Sequence, residues 1–266
     1  MKKYTTFSLV NLILGYIFLY LPIAFVVIYS FNASRFSVWQ GFSLRWYKEL
    51  ISNEALMNAV LASFKIASIS ATVAVCLGTL AALVIVRFGA FYGRTLFSGL
   101  VSAPLVMPDV ITGLSLLMMF VTFERLIGWP SERGIMTVTL AHITLSLAYV
   151  YLIVQSRLQD FDISLEEAAQ DLGARPFKVF FVITLPLIAP SLFSSWLLAF
   201  ALSLDDVVIA SFLSGPGATT LPMLIFSSVR LGVTPEINAL ATIIVGLVAL
   251  VVTFTGFMLY KKQRTP

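Results

Sequence analysis

The sequence predicts an all-α protein embedded in a membrane, with six spanning helices and no soluble domain. Three observations carry that prediction. Hydrophobic residues make up 59% of the 266 residues and charged ones only 11%, where a soluble domain carries about 25% charged residues. About 20 apolar residues cross a bilayer as a helix, and six stretches reach that length: 9–31, 66–86, 95–123, 134–156, 187–213 and 237–260. The basic residues lie in the connections and at both ends, which suits a membrane surface and gives no sign of nucleic acid.

The first stretch follows Lys2 and Lys3 but exceeds a signal-peptide core of about 7–15 residues, so it reads as an uncleaved span. The second is uncharged and holds Cys76, the only cysteine, which excludes a disulfide framework or a cysteine metal cluster. The third carries Asp109. Pro104 and Pro108 precede it and predict a bend just before the aspartate. The fourth holds His142, the only histidine, which reads as an interhelical hydrogen-bonding residue and offers no metal site on its own. The fifth contains Pro190, Asp205 and Asp206, and the sixth is uncharged. Between the first two, the 32–58 connection contains Trp46 and Tyr47, which suit an interfacial helix. After the fifth, Gly215-Pro216-Gly217 breaks the chain, and 221–229 reads as a short helix or re-entrant piece lying at the outer surface. The chain thus divides into a first span with its outer connection (1–58), a five-helix core (59–260) and a short tail (261–266).

Lys and Arg in the connections set orientation. With the N-terminus inside, ten fall on the cytoplasmic side: Lys2, Lys3, Arg87, Arg94, Arg157, Arg175, Lys178, Lys261, Lys262 and Arg264. Six fall outside, namely Arg35, Arg45, Lys48, Arg125, Arg133 and Arg230, while Lys65 sits at the outer edge of the second span. Both termini and the polar segment near residue 170 are therefore expected in the cytoplasm.

That segment, EAAQDLGARPFKVFFVITLP from Glu167 to Pro186, reads as two short helices meeting in an elbow. Ser164 and Glu167 have capping-box spacing. Leu165, Ala168, Ala169 and Leu172 recur on one face, with Glu166, Gln170 and Asp171 on the other. Gly173 suits a left-handed helix terminus. Pro176 suits the first turn of a second helix over 177–183. A short helix with an apolar, small-residue face can serve as a helix-in-groove ligand. In residue type and spacing the segment resembles the EAA loop of ABC-importer permeases, carried by Glu167, Ala168, Ala169, Gly173, Leu185 and Pro186. The resemblance implies that this is the cytoplasmic coupling helix, which docks on a separate ATP-hydrolysing subunit.

Asp109, Asp205 and Asp206 are the three of thirteen carboxylates that fall within predicted spans. An intramembrane charge costs about 2.5–3.5 kcal/mol on insertion scales, so such residues face a cavity or a partner. Counted from the inner ends of their spans at about 1.5 Å per residue, Asp109 lies roughly 21 Å in and Asp205 roughly 27 Å in, so they can line one cavity. Asp205 and Asp206 point about 100° apart. The spans offer no Lys or Arg to neutralise them, leaving a partner subunit, a proton or a cationic substrate. Ser203, Tyr149 and Ser115 can add hydrogen bonds, and Phe120 and Trp196 can pack on methylenes or a cation. For those five, ordinary helix packing is the better reading.

The stretches APLVMPDVITGLSLL, LSLDDVVIASFLSGPGATTLP and GVTPEINALAT look like those of polyamine-importer permeases, and the chain is similar throughout to permeases of bacterial putrescine uptake systems. The resemblance implies the six-span type I importer permease fold in the bacterial inner membrane. It implies as partners a second homologous permease, two copies of an ATP-binding subunit and a periplasmic polyamine-binding protein. This chain would need no cofactor; ATP and magnesium would sit on the partner. Consistent with that, no G-x-x-x-x-G-K-[ST] loop and no Gly-Lys pair occurs, so the chain cannot cradle phosphate by that route. No catalytic nucleophile or metal motif appears either. The rival readings are an importer permease for another small substrate, and a proton-coupled secondary transporter using the aspartates, which leaves the elbow unexplained.

Overall fold

A computed structural model describes residues 6–35, 38–231 and 234–264. Lys2, Lys3, Pro266 and Gly232 of the GVTPEINALAT stretch lie outside them. Among the described residues twelve α-helices follow one another, and the only β-pairing is an isolated bridge between Asn32 and Phe42. Five helices are long and apolar enough to cross a membrane, and a sixth apolar stretch, Pro235–Leu250, begins the last helix.

The chain divides into two compact units, Met1–Met57 with Ile225–Pro266, and Asn58–Leu224. The final segment, grouped with the 59–260 core on sequence, thus clusters with the N-terminal one. In this first unit α1 (Thr6–Ser30) packs along α12 (Pro235–Arg264), which also meets α2 (Arg45–Ser52). The connection from α1 to α2 is built around the buried Asn32. Its side-chain oxygen accepts the amides of Ser34 and Gln40, and its amide donates to the Val38 carbonyl. Trp46 is buried and donates its indole N–H to the Asn32 carbonyl, so α2 is held by packing as well as by its amphipathic face. Asn53 donates to Glu236 at 3.1 Å, fixing the start of α12.

The second unit holds the remaining helices, except that the first turn of α3 and α11 from Ile225 onward belong to the first. α3 (Glu54–Arg87) starts twelve residues before the apolar stretch that predicts it, because its first turns are amphipathic and not continuously apolar. The predicted bend in the third span is a full break: α4 (Arg94–Ser102) ends in a single 3₁₀ turn at Ala103–Leu105, and α5 (Asp109–Ile127) begins at the aspartate itself. Pro104 and Pro108 withhold amide donors there. α6 (Ile135–Gln159) follows as predicted. Then come α7 (Ser164–Asp171), the short α8 (Pro176–Val179) and a π-helical turn at Phe180–Thr184, which runs on into α9 (Leu185–Asp205). The second arm of the elbow is therefore the start of the fifth span rather than a separate helix. The fifth span also divides. It stops at Asp205, and α10 (Val208–Leu213) resumes after an extended Asp206. α11 (Leu221–Leu231) confirms the helix predicted after Gly217.

Two apolar clusters hold this unit together. One joins Ala71, Ala74 and Ala82 of α3 to Val150, Tyr151 and Val154 of α6 and Ile188 and Ala199 of α9. Its small residues let the helices approach closely, as membrane packing requires. A Cβ on Gly78 would stand 2.8 Å from Val150 Cγ1. The other cluster sets Ile66 and Phe120 against Val138, Ile209 and Leu213, and a Cβ on Gly113 would meet the Phe212 ring at 2.7 Å. Phe120 is thus a packing residue. Trp196 stacks on Phe200 and donates to Thr72.

Candidate functional site

The elbow is shaped by its backbone. α7 opens on an Asx-type turn in which Asp162 accepts the Ser164 amide at 3.0 Å. Hydrogen bonds from the Ser164 side chain and amide hold the Asp162 carboxyl below the usual carboxylate range. The expected Ser164–Glu167 capping box does not form: Ser164 is already helical, and the earlier Asp162 takes the first free amide. The other end closes as a Schellman motif. Ala174 N–H donates to Ala169 C=O at 3.0 Å and Gly173 N–H to Gln170 C=O at 2.8 Å, with Gly173 at φ +83°. Arg175 is extended, and Pro176 starts α8.

Apolar surface gathers on this elbow. Leu172 is 90% exposed and Phe177 82%. Ala169, Leu172, Gly173, Lys178, Val179 and Val182 line a groove of about 520 Å³. Glu167 and Ala168 are exposed, Leu185 is half-buried and Pro186 exposed. Glu166, not Glu167, carries the internal contacts. Its Oε1 accepts Arg87 Nη2 at 2.8 Å and the Thr184 hydroxyl at 2.6 Å. The Arg87 guanidinium also lies 5.3 Å from the Phe161 ring centroid. Pairs separated by 79 residues leave no periodic trace, so the sequence did not expose this cluster.

The three acids of the predicted spans separate into two kinds. Asp206 is committed to its own chain. Its two oxygens accept the amides of Ile209 at 3.1 Å and Ala210 at 2.7 Å, which caps α10, and Oδ2 lies 3.1 Å from His142 Nε2. With Asp206 ionised and His142 a neutral imidazole, Nε2 carries the proton and Nδ1 is left as an acceptor. The Ser203 hydroxyl then donates to Nδ1 at 2.7 Å and itself accepts from Ser70 at 3.3 Å. His142 is 1% exposed, and it joins α6 to α9 as its sequence context predicts. Ser203 is likewise engaged in helix packing. The other end of α10 is tied to the same helix, because the Thr137 hydroxyl donates to the Leu213 carbonyl at 2.8 Å.

Asp109 and Asp205 have neither a hydrogen bond nor an ion pair among the described residues, and both are exposed. Asp109 is the first residue of α5, where the helix end favours an anion. Asp205 is the last residue of α9. Tyr149 is half-buried on α6, and Ser115 is exposed on α5. The helix breaks therefore leave two free carboxylates and one that is held in place.

Residues 74–264 match the family described as the binding-protein-dependent transport system inner membrane component. The chain belongs to this family. It is 58% identical over 257 residues to the putrescine transport system permease protein PotI of Escherichia coli K12, covering 96% of this chain and 92% of that one. It is 42% identical over 230 residues to the spermidine/putrescine transport system permease protein PotC of the same strain, covering 86% and 84%. Among solved structures, a bacterial ABC transporter that imports the acidic polysaccharide alginate aligns with TM-score 0.68 at 14% identity over 98% of this chain and 99% of that one. The MetNI methionine ABC transporter in an inward-facing conformation aligns with TM-score 0.56 at 16% identity over 83% and 99%. These two show the fold alone.

Membership bears out the resemblance read from the elbow and the acidic stretches at the level of the family. The chain is a multi-pass membrane permease, and its relatives are permease proteins rather than ATPases.

Proposed function

We propose that this chain is the translocation subunit of an ATP-driven bacterial importer for polyamines, with putrescine as substrate. The observation that carries the reading is the pair of unpartnered carboxylates at helix breaks, Asp109 and Asp205, in a chain so similar to a putrescine permease. A diamine brings two ammonium groups, which suits two carboxylates set apart. Asp206, with Ser203 and His142, fixes the break that presents Asp205. Tyr149 supplies a hydrogen-bonding rim.

The chain would cross the inner membrane six times, with α12 as the sixth span and both termini in the cytoplasm. The apolar groove beside Ala169, Leu172 and Gly173, with Glu167 and Ala168 exposed alongside, offers a docking face for an ATP-binding subunit, present in two copies. A second homologous permease completes the path, and a periplasmic polyamine-binding protein delivers substrate at the outer connections. ATP and magnesium belong to the partner, and the chain itself takes no cofactor. The proton-coupled reading gains no specific support, since the acid that contacts a histidine also caps a helix.

The test is uptake of labelled putrescine by the reconstituted importer at matched abundance. Asp109→Asn and Asp205→Asn are expected to assemble normally and to lose uptake by on the order of tenfold or more, the scale of a lost charge-assisted contact of about 1.5–3 kcal/mol. Normal uptake in both variants refutes the site.

A further inference from the structure

Glu166 stands apart from the residues that shape the docking face. It borders a separate small cavity of about 130 Å³ with Arg87, Gln170 and Thr184. One of its oxygens receives donors from two different elements. Arg87 is the last residue of α3, and Thr184 closes the π-helical turn that feeds α9. The pair is sheltered, with 20% of the Arg87 side chain and 14% of the Glu166 side chain exposed, so solvent screens it less than a surface pair. The Phe161 ring under the guanidinium fixes Arg87 further.

The same two helices meet again far from the elbow. Ser70 of α3 donates to Ser203 of α9, and Ser203 is bound to His142 beside Asp206. Arg87 and Ser70 are seventeen residues apart on one helix, or about 26 Å. Glu166 therefore fastens α3 and α9 together at the elbow end, and the serine pair fastens them at the acidic end. The two helices are thus tied at both ends, so a displacement imposed at one end of the pair bears on the other.

We propose that Glu166 is the transmission residue of the permease. Through Arg87 and Thr184 it carries displacement of α7 into α3 and α9 together, and so to the acidic cluster. Glu166 is a positioning residue and touches no substrate. The proposal rests on the reading that α7 docks on an ATPase.

The experiment measures putrescine uptake per ATP hydrolysed in proteoliposomes containing the intact importer and its binding protein. Glu166→Ala is expected to keep the ATPase bound and hydrolysing while uptake per ATP falls roughly tenfold, within the range of ordinary coupling free energies. The exchange Arg87→Glu with Glu166→Arg should recover most of that loss, and the fall in uptake per ATP with the ATPase still bound is the readout that a merely structural role does not move. Thr184→Val removes a single donor at constant shape and should give a smaller fall, roughly threefold. An unchanged ratio in Glu166→Ala overturns the proposal. Should that variant fail to assemble, an unchanged ratio in Thr184→Val overturns it instead. Leu172→Asp, in the groove, separates the underlying reading. If it leaves ATPase recovery intact, α7 is not the docking element. If it releases the ATPase while Glu166→Ala keeps the wild-type ratio, docking stands and transmission through Glu166 fails.

Discussion

Asp206→Ala is the substitution that best distinguishes a held carboxylate from a free one. The aspartate accepts two backbone amides of α10 and the buried His142 N–H. Loss of a helix cap costs about 1 kcal/mol, and leaving a buried donor unpaired costs about 1–3 kcal/mol. Together the variant should lose about 2–4 kcal/mol, with the damage centred on α10 and on the ring of His142. Asp206→Asn keeps one acceptor oxygen and remains a competent cap, so it should lose less than half as much. Asp205→Asn, next in sequence, breaks no hydrogen bond among the described residues and should melt like the parent. The assay is thermal unfolding of the purified permease complex in detergent, with uptake measured alongside. The expected order of melting temperatures is Asp205→Asn equal to the parent, then Asp206→Asn, then Asp206→Ala lower by several degrees. An Asp206→Ala protein that melts with the parent, or an Asp205→Asn protein that melts below Asp206→Ala, refutes the division between the two aspartates.

Gly173→Val places a β-branched residue at φ +83°, costing about 1–2 kcal/mol of backbone strain. Nothing crowds that position, so Gly173→Asn should be tolerated, and ATPase co-purification should fall only with valine. Asp162 is depressed in the folded state by its Ser164 hydrogen bonds. Its contribution to α7 is therefore present above the unfolded value of about 3.9 and is lost as pH falls through the lower folded value. Amide exchange in the first turn of α7 should show that acid loosening in the parent and not in Asp162→Asn. A reporter fused after Pro266 should report cytoplasm and one inserted after Gly217 the outside; a periplasmic C-terminus refutes the six-span topology.

The five helices long enough to cross a membrane were legible because apolar length is a local property. Pro104 and Pro108 announced the break before Asp109 for the same reason, since missing amides act on their own turn. The break after Asp205 had no such mark. It depends on Asp206 turning to cap α10 and on His142, sixty-four residues earlier, receiving that carboxylate. Sequence therefore set the two neighbouring acids about 100° apart without showing which is held, and the structure separates them. The elbow repeats the lesson. Gly173 was legible as a left-handed terminus because that requirement is local. The choice of Glu166 over Glu167 as the internally bonded acid was not legible, because it is decided by where α3 ends in space.

α10 is six residues long, far below the roughly 12–15 that an isolated helix needs to persist in water. What sustains it is packing against α5, together with two ties to α6: His142 holds the Asp206 carboxylate that caps its first turn, and Thr137 holds its last carbonyl. α6 leaves the ribosome well before α10, and chains fold from the N-terminus as they emerge. The residues that shape 208–213 are therefore all synthesised before them. Thr137 and His142 act as a template for a segment not yet synthesised, and damage to either should appear first in biogenesis as chains that insert but fail to mature.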